Sequence, residues 1–180
     1  MFRRFGNIFV LIVLIFNLGL SGTANPSRSD NLAANPKAAA FALKDQFGNE
    51  LSFKFPREKI TILAFADKNG SEQLEEWIRP LAEKYSGQKY ADKLDIAGIA
   101  ELSSVPGIAK GVVRNFIKKK SERPVMLDWN GEVSKSYNYE KDKANLILID
   151  RQGNIIEREI GGADAAKLSK IYQTIDRELK

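Results

Sequence analysis

Lys59–Tyr85, KITILAFADKNGSEQLEEWIRPLAEKY, decides how the rest of the chain is read. It opens on Ile60-Thr61-Ile62-Leu63-Ala64-Phe65-Ala66, an uncharged run rich in β-branched residues. That is the pattern of a strand buried on both faces. A polar loop, Asp67-Lys68-Asn69-Gly70, follows. Leu74, Trp77, Ile78, Leu81, Ala82 and Tyr85 then recur at helical spacing and form one apolar stripe. Asn69 and Glu72 stand at capping-box spacing, and Gly70 suits the turn. At such a junction a helix dipole and free N–H groups can activate a cysteine. This one holds none.

Working outward, the whole 180-residue chain contains no cysteine and no histidine. Disulfides, thiolate metal sites and thiol catalysis are therefore excluded. The usual neutral-pH general base and the commonest metal ligand are missing too, so Ser-His-Asp and Cys-His constellations are ruled out. A metal would have to be a hard ion on oxygen ligands. Acids flank the start of the predicted helix at Asp67, Glu72 and Glu75, but acids in a first turn are ordinary dipole partners. No pair of acids is spaced for acid–base work, and no cofactor, metal or catalytic residue is implied. The net charge is +5, of which Arg3 and Arg4 supply two. The mild remainder, interspersed with acids, argues against nucleic acid as a partner.

The N-terminus has three parts. Phe2-Arg3-Arg4 is positive, Ile8–Leu20 (IFVLIVLIFNLGL) is uncharged and almost wholly apolar, and Gly22 and Ala24 are small. This predicts a signal peptide over residues 1–24, cleavage after Ala24, and a periplasmic or secreted protein. The apolar run is short for a ~30 Å hydrocarbon core. If it is retained uncleaved, it becomes an anchor and the route to membrane contact. Residues 25–40, NPSRSDNLAANPKAAA, lack periodicity and read as a flexible linker. The domain is expected over 41–180.

Within it, Phe41–Phe53 alternates apolar and polar residues around a turn at Asp45–Asn49, where Gly48 is free to take positive φ, predicting a β-hairpin. Leu94–Ala100 reads as a second buried strand. A helix is predicted to start at Ser103-Ser104-Val105-Pro106, with Ile108, Ala109, Val112, Val113, Phe116 and Ile117 on its apolar side. It ends in Lys118-Lys119-Lys120, cations suited to a helix C-terminus or to a polyanion. Pro124–Leu127 is a short strand, Val133–Tyr139 a short helix or irregular segment, and Asn145–Ile149 and Asn154–Ile160 a hairpin. The turns at Asp45, Asp128 and Asp150, each D-x-x-G, read as hairpin turns. Leu168, Ile171, Tyr172, Ile175 and Leu179 close the chain with an amphipathic helix. The order βαβα, hairpin, helix predicts an α/β fold with a mixed central sheet and helices on both faces.

Phe41-x-Leu43-x-Asp45-x-x-Gly48 resembles the leading hairpin of redoxins of the thioredoxin-like superfamily. Leu146–Asp150-x-x-Gly153-x-Ile155, Gly161-Gly162 and the final helix resemble their C-terminal half, and Pro80 resembles the proline of their active-site helix. Val105-Pro106-Gly107 with Val113-Arg114, the size and the N-terminal segment are similar to the YtfJ family of periplasmic thioredoxin-like proteins. The resemblance implies a three-layer thioredoxin-like fold over about residues 41–178. It also implies a thiolate at the segment now occupied by Asp67–Gln73, and a cis-proline facing it. Alignment from Asp150 puts Ala144 at the proline's place, where no cis bond is expected because it would cost ~2.5–4 kcal/mol.

Both halves of the redox machinery are thus missing. The expected function is a redox-inactive binding or adaptor protein. Its candidate loop is Asp67, Lys68, Asn69, Gly70, Ser71, Glu72 and Gln73, with Ala144 opposite and a protein or peptide as partner. The competing expectations are a membrane-anchored envelope interaction protein and a divergent redoxin that is an oxidoreductase by fold only.

Overall fold

The computed structural model describes residues 36–180. The expected signal peptide and most of the expected linker lie outside them. Pairing starts before the expected domain boundary. Ala38 N–H donates to Gly153 O, and Ile155 N–H donates to Pro36 O.

Among the described residues the main elements run β1 (Phe41–Lys44), β2 (Glu50–Phe53), β3 (Ile60–Ala66), α1 (Ser71–Tyr85), β4 (Leu94–Glu101), α2 (Lys110–Lys120), β5 (Val125–Asp128), α3 (Glu132–Ser136), β6 (Asn145–Ile149), β7 (Ile155–Ile160) and α4 (Ala165–Glu178). Five strands make one sheet in the order β5-β4-β3-β6-β7. β3, β4 and β5 are parallel, while β6 is antiparallel to both β3 and β7. β1 and β2 form a separate antiparallel hairpin, tied to the β5 edge by an Asp45–Met126 bridge. The uncharged run of β3 makes it the central strand, with every residue buried.

The pleat sorts β3 into two cores. Ile60, Ile62, Ala64 and Ala66 meet Leu74, Trp77 and Leu81 of α1 and Ile171 and Ile175 of α4. Leu63 and Phe65 meet Phe53, Val133, Tyr137 and Ile147 on the opposite face. A third cluster, Ala100, Leu102, Val125 and Leu127, takes Val113 and Ile117 of α2. By strand alternation that cluster lies on the α1–α4 side. The chain moves in one direction from β3 to β4 to β5, so right-handed crossovers put α1 and α2 on the same face. Three helices therefore cover one face, and the hairpin with the short α3 covers the other. Helices do lie on both faces, in unequal share.

Two expectations are corrected. The helix expected from Ser103 begins as a 3-10 turn at Gly107–Ala109 and becomes α-helical only at Lys110. The turn at Asp128 does not join a hairpin but leads from β5 into α3. In the true hairpin turns an asparagine follows the glycine, and its side chain bonds back to the aspartate. Asn49 Nδ2 donates to Asp45 Oδ2 at 3.1 Å, and Asn154 Nδ2 donates to Asp150 Oδ2 at 2.6 Å. Glu132 stands at that place after Gly131, and Asp128 instead accepts from Ser134 N–H and Oγ–H.

Candidate functional site

β3 delivers Asp67 to the C-terminal edge of the parallel strands, directly before α1. The Asp67 carboxylate is the hub of the loop. Its Oδ1 accepts from Asn69 N–H and Gly70 N–H, both at 2.9 Å. Its Oδ2 accepts from Asp142 N–H at 2.8 Å. The Asp67 N–H donates to the Tyr139 hydroxyl at 2.9 Å. With three N–H donors on its two oxygens, the carboxylate anchors the turn and ties it to the Asp142 loop.

The expected capping box is absent. Gly70 occupies the N-cap of α1 without a side-chain bond. Asn69 turns away, and its Nδ2 donates to Asp142 Oδ1 at 2.6 Å. Asp67 instead takes the Asn69 and Gly70 N–H groups in an Asx turn, which an aspartate two residues upstream can form. Ser71 Oγ–H closes the same turn by donating to Lys68 O at 2.8 Å.

The structure places Asp67–Gln73 beside Ala144 and joins them to each other. Gln73 Oε1 accepts from Ala144 N–H at 3.1 Å, and Ala144 O accepts from Gly161 N–H at 2.8 Å. Both main-chain groups of Ala144 are thus used internally. A Cβ on Gly70 would stand 2.5 Å from the Lys143 carbonyl, so the two loops touch through backbone. Gly70, Ser71 and Ala144 are buried, Asp67 and Gln73 half-buried, and Lys68, Asn69 and Glu72 exposed. The one cis peptide among the described residues is Phe55–Pro56, so the bond before Ala144 is trans, as expected.

Tyr139, at the end of the segment read from the sequence as a short helix or irregular stretch, joins this loop to a neighbouring cavity of about 310 Å³. Glu101, Ser103, Asn130, Lys135 and Lys141 line its other sides. Glu101 is buried, and its Oε1 accepts from Ser103 N–H at 3.0 Å. Burial, with the adjacent Asp67 carboxylate, pushes the Tyr139 hydroxyl far above the ordinary phenol value, so it stays protonated. Burial alone pushes Tyr137, on the same face, up to about 12. The Tyr139–Asp67 link spans 72 positions and has no local signal. Among the described residues no group of three or more acids is placed to hold a metal ion. No helix among them is long and apolar enough to cross a membrane.

No protein-family model and no curated protein matches the chain. Solved structures do resemble it. An uncharacterised conserved protein from Geobacillus kaustophilus superposes with a TM-score of 0.62 at 16% identity, covering 87% of this chain and 88% of that one. The exposed lipoprotein thioredoxin of Streptococcus pneumoniae gives 0.58 at 19% identity, covering 77% and 99%. The thioredoxin domain of a thiol-disulfide oxidoreductase from Bacteroides vulgatus gives 0.56 at 20% identity, covering 81% and 99%. Strand order, strand direction and these likenesses agree: the chain has an α/β thioredoxin-like fold, built without a cysteine.

Proposed function

We propose that the protein is an exported, redox-inert thioredoxin-like domain that works by binding a protein or peptide at the Asp67–Gln73 loop. One observation carries the reading. At the junction where a thioredoxin-like enzyme places its thiolate, this chain has a loop tied down by the Asp67 carboxylate, with Lys68, Asn69 and Glu72 left exposed. Because the main chain of Ala144 is already bonded, a partner reads those exposed side chains rather than adding a strand there.

Export rests on the three-part N-terminal pattern, and the exposed lipoprotein among the similar structures is in keeping with it. The finer likeness to the YtfJ family rests on Val105-Pro106-Gly107, Val113-Arg114 and the D-x-x-G hairpin.

Photo-crosslinking tests the site. A crosslinker at Lys68, Asn69 or Glu72 should capture one partner in the envelope fraction, and a crosslinker at exposed Ser86, at the other end of α1, should not. Equal capture at both ends of α1 would sink the reading. The mature N-terminus, read by mass spectrometry, should be Asn25.

A further inference from the structure

Three large apolar side chains are exposed among the described residues: Phe47 at 40%, Ile108 at 97% and Val112 at 72%. All three stand at α2: Val112 on the helix, Ile108 in the 3-10 turn that leads into it and Phe47 in the β1–β2 turn beside it. Ile108 and Val112 are one turn apart at its start. Phe47 lies at its other end, where Lys118 Nζ stands 5.7 Å from the ring centroid. The inner side of the helix is occupied by Val113 and Ile117, which pack on Ala100, Val125 and Leu127. The outer stripe faces away from that core and has no partner in the fold.

From Gly107 to Lys120 the chain carries five cations, Lys110, Arg114, Lys118, Lys119 and Lys120, and no acid. None of the five is in an ion pair among the described residues. Lys110, Lys118 and Lys120 stand over the rings of Trp129, Phe47 and Phe116 instead. Elsewhere in the domain, Lys84, Lys143 and Lys170 each hold a carboxylate.

We propose that α2 and the Phe47 turn form a contact surface for an anionic phospholipid bilayer. The helix lies flat on the headgroups, Ile108, Val112 and Phe47 enter the acyl boundary, and the lysines meet lipid phosphates. Uncompensated cations beside exposed apolar side chains are complementary to that surface in both charge and polarity. Ile108 and Val112 project singly from the start of the helix and Phe47 from the turn beside its end, an arrangement that suits a fluid interface better than a shape-matched protein. The surface is separate from the Asp67 loop and does not rest on the function proposed for it.

The absence of cysteine makes the test clean. Full-length protein with Val112→Cys carries one polarity-sensitive dye, and Lys93→Cys, before the opposite end of β4, carries the control. Residues 8–20 can bring the chain to vesicles on their own, so the readout is the local shift at 112. Phosphatidylglycerol-containing vesicles should blue-shift the dye at 112 and not at 93, and pure phosphatidylcholine vesicles should shift neither. Lys118→Gln/Lys119→Gln/Lys120→Gln should weaken the shift by on the order of 100-fold in lipid concentration, at ~1 kcal/mol per cation. High salt should weaken it as well. No shift at 112 on anionic vesicles, an equal shift on neutral ones, or a shift that survives the triple neutralisation overturns the proposal. A shift with polyglutamate but not with anionic vesicles also overturns it and assigns the surface to an acidic protein.

Discussion

Asp67, Tyr139 and Trp77 show how much single positions carry. Three N–H groups lose their acceptor in Asp67→Ala, so that variant should unfold about 1.5–3 kcal/mol more easily in urea. Tyr139→Phe removes only the acceptor for the Asp67 N–H and should cost about 1 kcal/mol. That N–H is a main-chain group and survives Asp67→Ala, so the two costs should add in the double variant. Trp77 is fully buried and donates its Nε1–H to Gly161 O at 2.8 Å. Trp77→Ala should cost about 3–5 kcal/mol, and unchanged melting would contradict its place in the core.

Asp45 makes a prediction about acid. Burial works to raise its pKa, but the Asn49 side chain and the Asn49, Phe47 and Gly48 N–H groups outweigh it, and the pKa falls below the ordinary carboxylate value. Its folded pKa therefore lies below its unfolded one. The stability it contributes is complete above about pH 4 and is lost as pH falls through the folded value. Asp45→Asn should thus be destabilising at neutral pH, with the gap to the parent protein closing in acid, as followed by urea unfolding across pH.

Helices and turns differ in how far local pattern described them. α1 and α4 match their apolar stripes, because each lies over the sheet centre and buries a full face. The apolar side that the spacing predicts for α2 is wider than the side the helix buries. α2 sits over the β4–β5 end of the sheet and none of its residues is fully buried, so only part of its stripe finds a partner. Val112→Ser should therefore change stability by no more than about 0.5 kcal/mol. Ile117→Ala should cost about 1–3 kcal/mol, below a fully buried site. Equal effects would contradict the orientation of the helix. The same lack of buried contacts predicts faster amide exchange in α2 than in α1. The D-x-x-G turns teach a related lesson. D-x-x-G-N closes a hairpin twice through the Asn side chain, and Glu132 after Gly131 marks the turn that does not.

Over the whole molecule, one sheet separates a three-helix face from a hairpin face, and the loop before α1 opens at the C-terminal edge of the parallel strands. With no thiol, the purified protein should show no insulin-reductase turnover, and dithiothreitol should leave its unfolding curve unmoved; a reductant-dependent shift would be inexplicable from this chain.

Residue pattern alone determined the strands, the two large helices, the mixed α/β class and the exclusion of thiol chemistry. Those follow from local periodicity and from which side chains exist at all. Tertiary structure alone decided that Asp67, not Asn69, organises the loop at Lys59–Tyr85, that Asp142 and Tyr139 reach it from more than 70 positions away, and that the main chain of Ala144 is already bonded. It also decided that Ile108 and Val112 face outward. The physical reason is the same in each case: a hydrogen-bonding or apolar group takes whichever partner the packed sheet brings within reach, and that partner is set by strand order rather than by neighbours in the chain.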